Sequence, residues 1–310
     1  MIAEADPWAF QPHPEVWLLI AGIIGLGVYA VRVIGPKVVT DGPIVTRRQT
    51  VVFFLAVLLL WIAADYPMHD ISEQYLYSVH MVQHLLITFM VPPLLLYATP
   101  EWLARLVILD GGSASRILRR LTHPVVAGVI FNVIAAFTHW QVFVNTSVEN
   151  GAFHYGAHVV MFTAALLMWM PVLSPLREQR LSPPGQAIYL FLMSVIPTIP
   201  AAWLTFADGA VYSAYDQPFR LWGVSVASDQ QAAGLIMKIL GGLYLWLWIA
   251  VIFFRWASKA TDDDRAYRRH RPPADAGVDV AQPALPAELT FEDVQAEFEA
   301  STPASSSSDP

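Results

Sequence analysis

Cysteine is absent from all 310 residues of this chain, and its absence removes disulfides, thiolate metal sites and cysteine nucleophiles together. Any metal must therefore be held by nitrogen, oxygen or thioether. Charge is scarce too: 14% of residues are Asp, Glu, Lys or Arg, against 55% hydrophobic, a balance that excludes an ordinary soluble domain of this length. The opening stretch MIAEADPWAFQPHPEVW has neither a basic n-region nor an obvious cleavage site, so the first apolar run is expected to be retained rather than removed as a signal peptide. No convincing internal repeat is present.

What the chain does have is apolar length. A hydrocarbon core of about 30 Å needs about 20 mainly apolar residues per helix, and seven stretches approach or exceed that, near 16–34, 50–66, 76–97, 124–140, 153–173, 186–206 and 229–254. Backbone groups in lipid must be satisfied within their own segment, so these are read as helices. The expected fold is an all-α integral membrane protein, a bundle of seven transmembrane helices. Basic residues give its orientation. Lys37, Arg47, Arg48, Arg105, Arg116, Arg119, Arg120, Arg177 and Arg180 fall in alternate loops, and six more follow the last span, whereas the opposite loops hold only Arg220. The positive-inside rule then puts the N-terminus outside and the C-terminus in the cytoplasm.

The expected domains are an external arm over 1–15, a membrane domain over 16–256 and a mostly disordered cytoplasmic tail over 257–310. The tail is rich in Pro, Ala, Ser and acidic residues, a composition that cannot bury a core; its one structured candidate is a short amphipathic helix at Leu289–Ala300. Trp8, Phe10 and Trp17 suit the membrane interface. Pro92, Pro93, Pro197 and Pro200 fall inside expected spans, where each removes a backbone donor and favours a kink.

The chemistry lies in the histidines. His80 and His84 stand four apart at the head of the third span, His154 and His158 repeat that spacing at the head of the fifth, and His139 closes the fourth. All five fall at the outer face. Residues i and i+4 share one helix face, about 6 Å apart, so each pair can grip one ion. A single histidine here is read as an interfacial side chain bonded to a carbonyl or water; two pairs with His139 and His69 at one depth point instead to a shared metal site, since ionisable groups within the membrane usually have functional partners. Imidazole suits copper, zinc, iron or nickel, and thioether shifts the preference towards Cu(I). Met81, Met161 and Met237 can reach the same cavity, although methionine in a membrane helix is ordinarily packing. Asp229 opens the last span, as a ligand, as a partner to an imidazole N–H, or as a helix N-cap. Lys238, near mid-membrane, needs a carboxylate, backbone carbonyls or neutrality. Asn132, Thr138 and Gln141 are expected to make hydrogen bonds between helices.

The runs HMVQHLLITFMVPPLL at 80–95, WAF-x-P before the first span, FHYGAHVVMF at 153–162 and DQQAAGLIMK at 229–238 together resemble the CtaG-type cytochrome c oxidase assembly factors, over about residues 8–256. The resemblance implies a non-enzymatic role in maturing haem-copper oxidase in the bacterial cell membrane, with copper delivered on its outer side. The motif positions carried over are His80, His84, His154, His158 and Asp229. Lys238 departs from the family pattern, which commonly has an aromatic there, and the tail is longer than the family's. The implied partners are a cytochrome c oxidase subunit or another copper carrier, with membrane lipid around the bundle and no nucleic acid. Two readings from other classes compete: a zinc-dependent membrane hydrolase with three protein ligands around an open position, and a haem protein with His84 and His158 as axial ligands.

Overall fold

The computed structural model describes residues 6–270 together with Gln295, so the expected helix at Leu289–Ala300 lies outside the described residues but for that one. Among them the chain is helical, with no strand. Its helices are α1 (Pro14–Val38), α2 (Arg47–Ala64), the short α3 (Met68–Gln74), α4 (Tyr77–Ala98), α5 (Glu101–Leu109), α6 (Ser113–Leu121), α7 (Pro124–Thr138), α8 (Gln141–Glu149), α9 (Gly151–Leu173), α10 (Pro183–Val195), α11 (Thr198–Thr205) and α12 (Val226–Asp263).

Six helical stretches are long and apolar enough to cross a membrane, or seven if a bent pair is one crossing. The pair is α6 and α7, bent by 74°. The span expected at 124–140 is thus the exception: α7 has 15 residues, about 22 Å at 1.5 Å per residue, short of the hydrocarbon thickness. Past the expected boundary at 256 the chain stays helical to His270. It divides into two compact units at Ser258 and Lys259.

Within the larger unit α4 is the hub. Of the long helices α4 is the most buried and α1 the least; the second half of α4 packs on α2 and α9, its first turns on the start of α12, and α9 packs in turn on α7. Prolines shape this hub. Pro92 has no N–H to offer the Thr88 carbonyl, and the indole of Trp169 on α9 donates to that oxygen instead at 3.0 Å, so the backbone gap becomes an interhelical bond. Just ahead of it α4 widens into a π-helical turn, Leu86–Met90, and α12 does the same at Ile236–Leu240. Pro197 separates α10 from α11, the kink expected in the sixth span.

Close approach fixes the histidine-bearing end. A Cβ on Gly234 would lie 2.6 Å from the Ala201 carbonyl and 2.5 Å from the Thr205 hydroxyl; only glycine lets α12 meet α11 at that distance, as small residues do in membrane packing. At the same end Asp65 accepts the indole N–H of Trp17 at 2.8 Å and of Trp61 at 2.5 Å, tying α1 to α2.

Candidate metal centre

Two helices carry the paired histidines, and their starts are held differently. On α4 the first amides, those of Tyr77 and Ser78, donate to Asp229 at 2.7 and 3.0 Å, and the Ser78 hydroxyl donates to it as well. A carboxylate on exposed N–H groups at a helix N-terminus is favourable both as hydrogen bond and as charge against dipole. On α9 the cap is local: the Asn150 side chain accepts from the Phe153 amide at 3.1 Å. Each helix then aims its pair inward, ring centroids 4.4 Å apart for His80 and His84 and 4.5 Å for His154 and His158.

His80, His154 and His158 form the tight group, each offering one ring nitrogen within 4.8 Å of the others. His80 Nδ1, His154 Nε2 and His158 Nε2 are buried with no hydrogen-bond partner. Buried polar atoms are ordinarily satisfied, and leaving one bare costs roughly 1–3 kcal/mol. The three residues line one small cavity of about 20 Å³, and imidazole nitrogens grouped in this way can hold a cation. The remaining nitrogen of His154 is supported, with Ser147 Oγ at 3.1 Å from its Nδ1 and a Glu73 oxygen at 3.9 Å. With Nδ1 protonated towards these two, Nε2 presents its lone pair to the cavity.

Around this group lies a shell that no spacing in the sequence announces. His69 is spent: Gln83 Nε2 donates to its Nδ1 at 3.3 Å, while its Nε2 meets Glu73 at 3.1 Å. His13 reaches the buried Asp70, 3.2 Å from its Nε2, and the Tyr155 hydroxyl, which donates to Glu15, lies 3.4 Å from its Nδ1. Tyr77 stacks on His80 at 5.4 Å. Tyr215 donates to the Ser72 carbonyl at 3.0 Å and Tyr212 to that of His139 at 2.8 Å; burial pushes the Tyr212 phenol up to about 12, which keeps that donor protonated. Two acidic residues, Asp70 and Glu73, so near His69 in an apolar chain were the legible trace of this shell.

The other expected site residues have been sorted rather than gathered. His84 lies 5.0 Å from His158 and 6.2 Å from His139, ring centre to ring centre, and lines a second cavity with His139, Met81, Met161 and Met237. Asp229, expected as a metal ligand or as a partner to an imidazole, accepts hydrogen bonds on both its oxygens from the start of α4, so it bears on the imidazoles by holding their helix. The N-cap alternative is right in kind but applies to another helix, since Ser225 caps α12. Among the described residues Lys238 has neither a carboxylate nor a backbone carbonyl as its hydrogen-bond acceptor; it donates to the Thr198 hydroxyl at 2.6 Å. Asn132 bridges helices, giving its N–H to Met193 Sδ at 3.2 Å, whereas Thr138 bonds within its own helix to the Ala135 carbonyl.

The family model for cytochrome c oxidase caa3 assembly factors matches residues 26–259. The chain belongs to this family. The stretch matched to the caa3 assembly factors includes all three imidazoles of the tight group, His84 and His139, while His13 precedes it. Membership supports a role in oxidase assembly. No curated protein and no solved structure matches the chain.

Proposed function

We propose that this caa3 assembly factor carries copper on His80, His154 and His158 and releases it to an oxidase subunit or another copper carrier, without catalysing a reaction. The observation that carries the reading is the three buried ring nitrogens without hydrogen-bond partners, on residues that line one cavity. A tetrahedral ion with bonds of about 2.1 Å holds its nitrogens about 3.4 Å apart, so a contraction of side chains, not of helices, is enough to close the site. Three imidazoles leave one coordination position free, and an open position is what a donor needs for its acceptor to enter. Imidazole accepts copper and zinc alike; a haem-copper oxidase as client favours copper. Ring centres 5.0 Å apart for His84 and His158 over a cavity of about 20 Å³ favour a bare ion there over a haem.

The topology belongs to the same proposal: seven crossings, the bent α6–α7 pair counted as one, in the bacterial cell membrane, with residues 16–256 as the membrane domain. The distribution of Lys and Arg supports an external N-terminus, a cytoplasmic 257–310 and a histidine site facing outward. A reporter active only outside the cytoplasm, fused after Ser308, is expected to stay silent; a signal from intact protein overturns this orientation. For the function, a host whose own copy is replaced by His154→Ala is expected to insert the protein normally while its oxidase accumulates short of copper. Normal oxidase copper at limiting copper supply would end the delivery reading.

A further inference from the structure

A second and larger cavity, about 60 Å³, adjoins the three-imidazole group. The two cavities share one residue, His84, which lines both. The walls of the larger one bring together the thioethers of Met81, Met161, Met193 and Met237 and the imidazoles of His84 and His139. Four of the nine methionines of the chain thus converge from α4, α9, α10 and α12.

Methionine ordinarily fills gaps in a core, and convergence alone would be packing. Three further observations go against that. Space remains between the side chains, which in a membrane protein forfeits the dispersion contacts that hold helices together. His139 is only 8% exposed; its Nδ1 lies 2.6 Å from the Ala135 carbonyl, while its Nε2 is buried with no partner. The backbone also departs from α-helical geometry on three sides of this one cavity: Thr88 and Phe89 line it from the π-helical turn of α4, Met237 and Lys238 from that of α12, and Pro197 and Thr198 from the break between α10 and α11. Such turns widen a helix and concentrate at functional sites.

We infer that this cavity is a second metal position, selective for Cu(I), and that His84 is the ligand through which the ion passes between it and the three-imidazole group. The inference rests on the copper reading above. Thioether is soft and neutral and prefers Cu(I) to Cu(II) or Zn(II). A single positive charge is also the one that a neutral Met and His cage can hold in low dielectric, because the desolvation cost rises with the square of the charge. The ring of His84 stands between the two positions, 4.4 Å from that of His80 on one side and 6.2 Å from that of His139 on the other. The ion is Cu(I) at both positions, so its transfer exchanges ligands and moves no electron.

The test uses full-length protein in detergent, loaded anaerobically with excess Cu(I) or, separately, Zn(II), then desalted; metal content and X-ray absorption at the metal edge are read. The expected result is two equivalents of Cu(I) with a sulfur shell, and one of Zn(II) bound by nitrogen and oxygen alone. Met161→Leu with Met237→Leu, close to volume-conserving, is expected to lower Cu(I) from two equivalents towards one and to weaken the sulfur signal, while retained Zn(II) shows that the fold is intact. His154→Ala is expected to do the reverse, losing Zn(II) and keeping sulfur-bound Cu(I). One equivalent of Cu(I) without sulfur in the unaltered protein overturns the second position and leaves the three-imidazole reading standing. No bound metal overturns both. A sulfur shell undiminished by the double substitution overturns the placement in this cavity.

Discussion

The two histidine pairs have the same spacing and different fates. Ring separations of 4.4 and 4.5 Å are all but identical, as helical geometry requires of positions i and i+4. Yet His154 and His158 both join the tight group, whereas the other pair divides, His80 joining it and His84 opening onto the methionine cavity. Their support differs as well. The start of α4 is held by Asp229, 152 residues away from Tyr77, and that of α9 by Asn150, three residues from Phe153. Spacing sets how close two rings are; what they share is set by the helices packed against them.

Removing one ring from each pair breaks the comparison most completely. His154→Ala is expected to abolish Zn(II) binding in equilibrium dialysis, because two imidazoles without a third rarely retain the ion against water. His84→Ala is expected to keep that equivalent. Equal loss in both variants would show that the pairs are equivalent and that His84 belongs to the three-imidazole group.

Next in size is Asp229→Ala. The substitution strips a buried carboxylate from two amides and a hydroxyl, and hydrogen bonds to a charged group are worth about 1.5–3 kcal/mol each, so a loss of about 3 kcal/mol or more is expected, read as earlier thermal unfolding in detergent. Asp229→Asn, which keeps the shape and part of the hydrogen bonding, is expected to recover much of it. An Ala variant as stable as the parent would mean that α4 is held at its start by packing alone.

Asp229 also marks the limit of what the sequence makes legible. Apolar length revealed the helices, because lipid imposes it on each segment separately, and the paired spacing revealed which rings lie side by side. The Pro197 kink was legible for the same local reason. What stayed hidden is set between segments. Nothing near position 229 says that its carboxylate caps a helix on the far side of the chain, and Met193, passed over in a run of ordinary span residues, enters the methionine cavity only because α10 packs beside α7 and α12. The bent α6–α7 pair was missed because hydropathy over 124–140 does not register a 74° turn.

Ser147→Ala sharpens the comparison from the side of the pair that stays together. It removes the hydroxyl 3.1 Å from His154 Nδ1, leaving Glu73 to orient the ring. Losing a partner that steadies a metal-binding imidazole typically costs 10–100-fold in affinity, so Zn(II) is expected to bind about tenfold more weakly, with thermal stability little changed. Unchanged affinity would assign the ring's orientation to Glu73 and packing.

The smallest effect is expected at the local cap. Asn150 is exposed and its side chain accepts a hydrogen bond from the Phe153 amide, and water can take its place when it is lost. Substituting an N-cap by alanine costs about 1 kcal/mol, so Asn150→Ala is expected to lower the unfolding temperature slightly, Asn150→Asp to restore it, and neither to alter metal affinity, because the Asn150 carbonyl still accepts the His154 amide at 2.9 Å in the alanine chain. The informative measurement is the ratio to Asp229→Ala in the same detergent. A cap on an exposed turn competes with solvent, and one buried between helices does not. If the two substitutions cost the same, the contrast between a locally and a remotely held pair fails, and the division of His80 from His84 must come from the π-helical turn of α4 rather than from how its first turn is anchored.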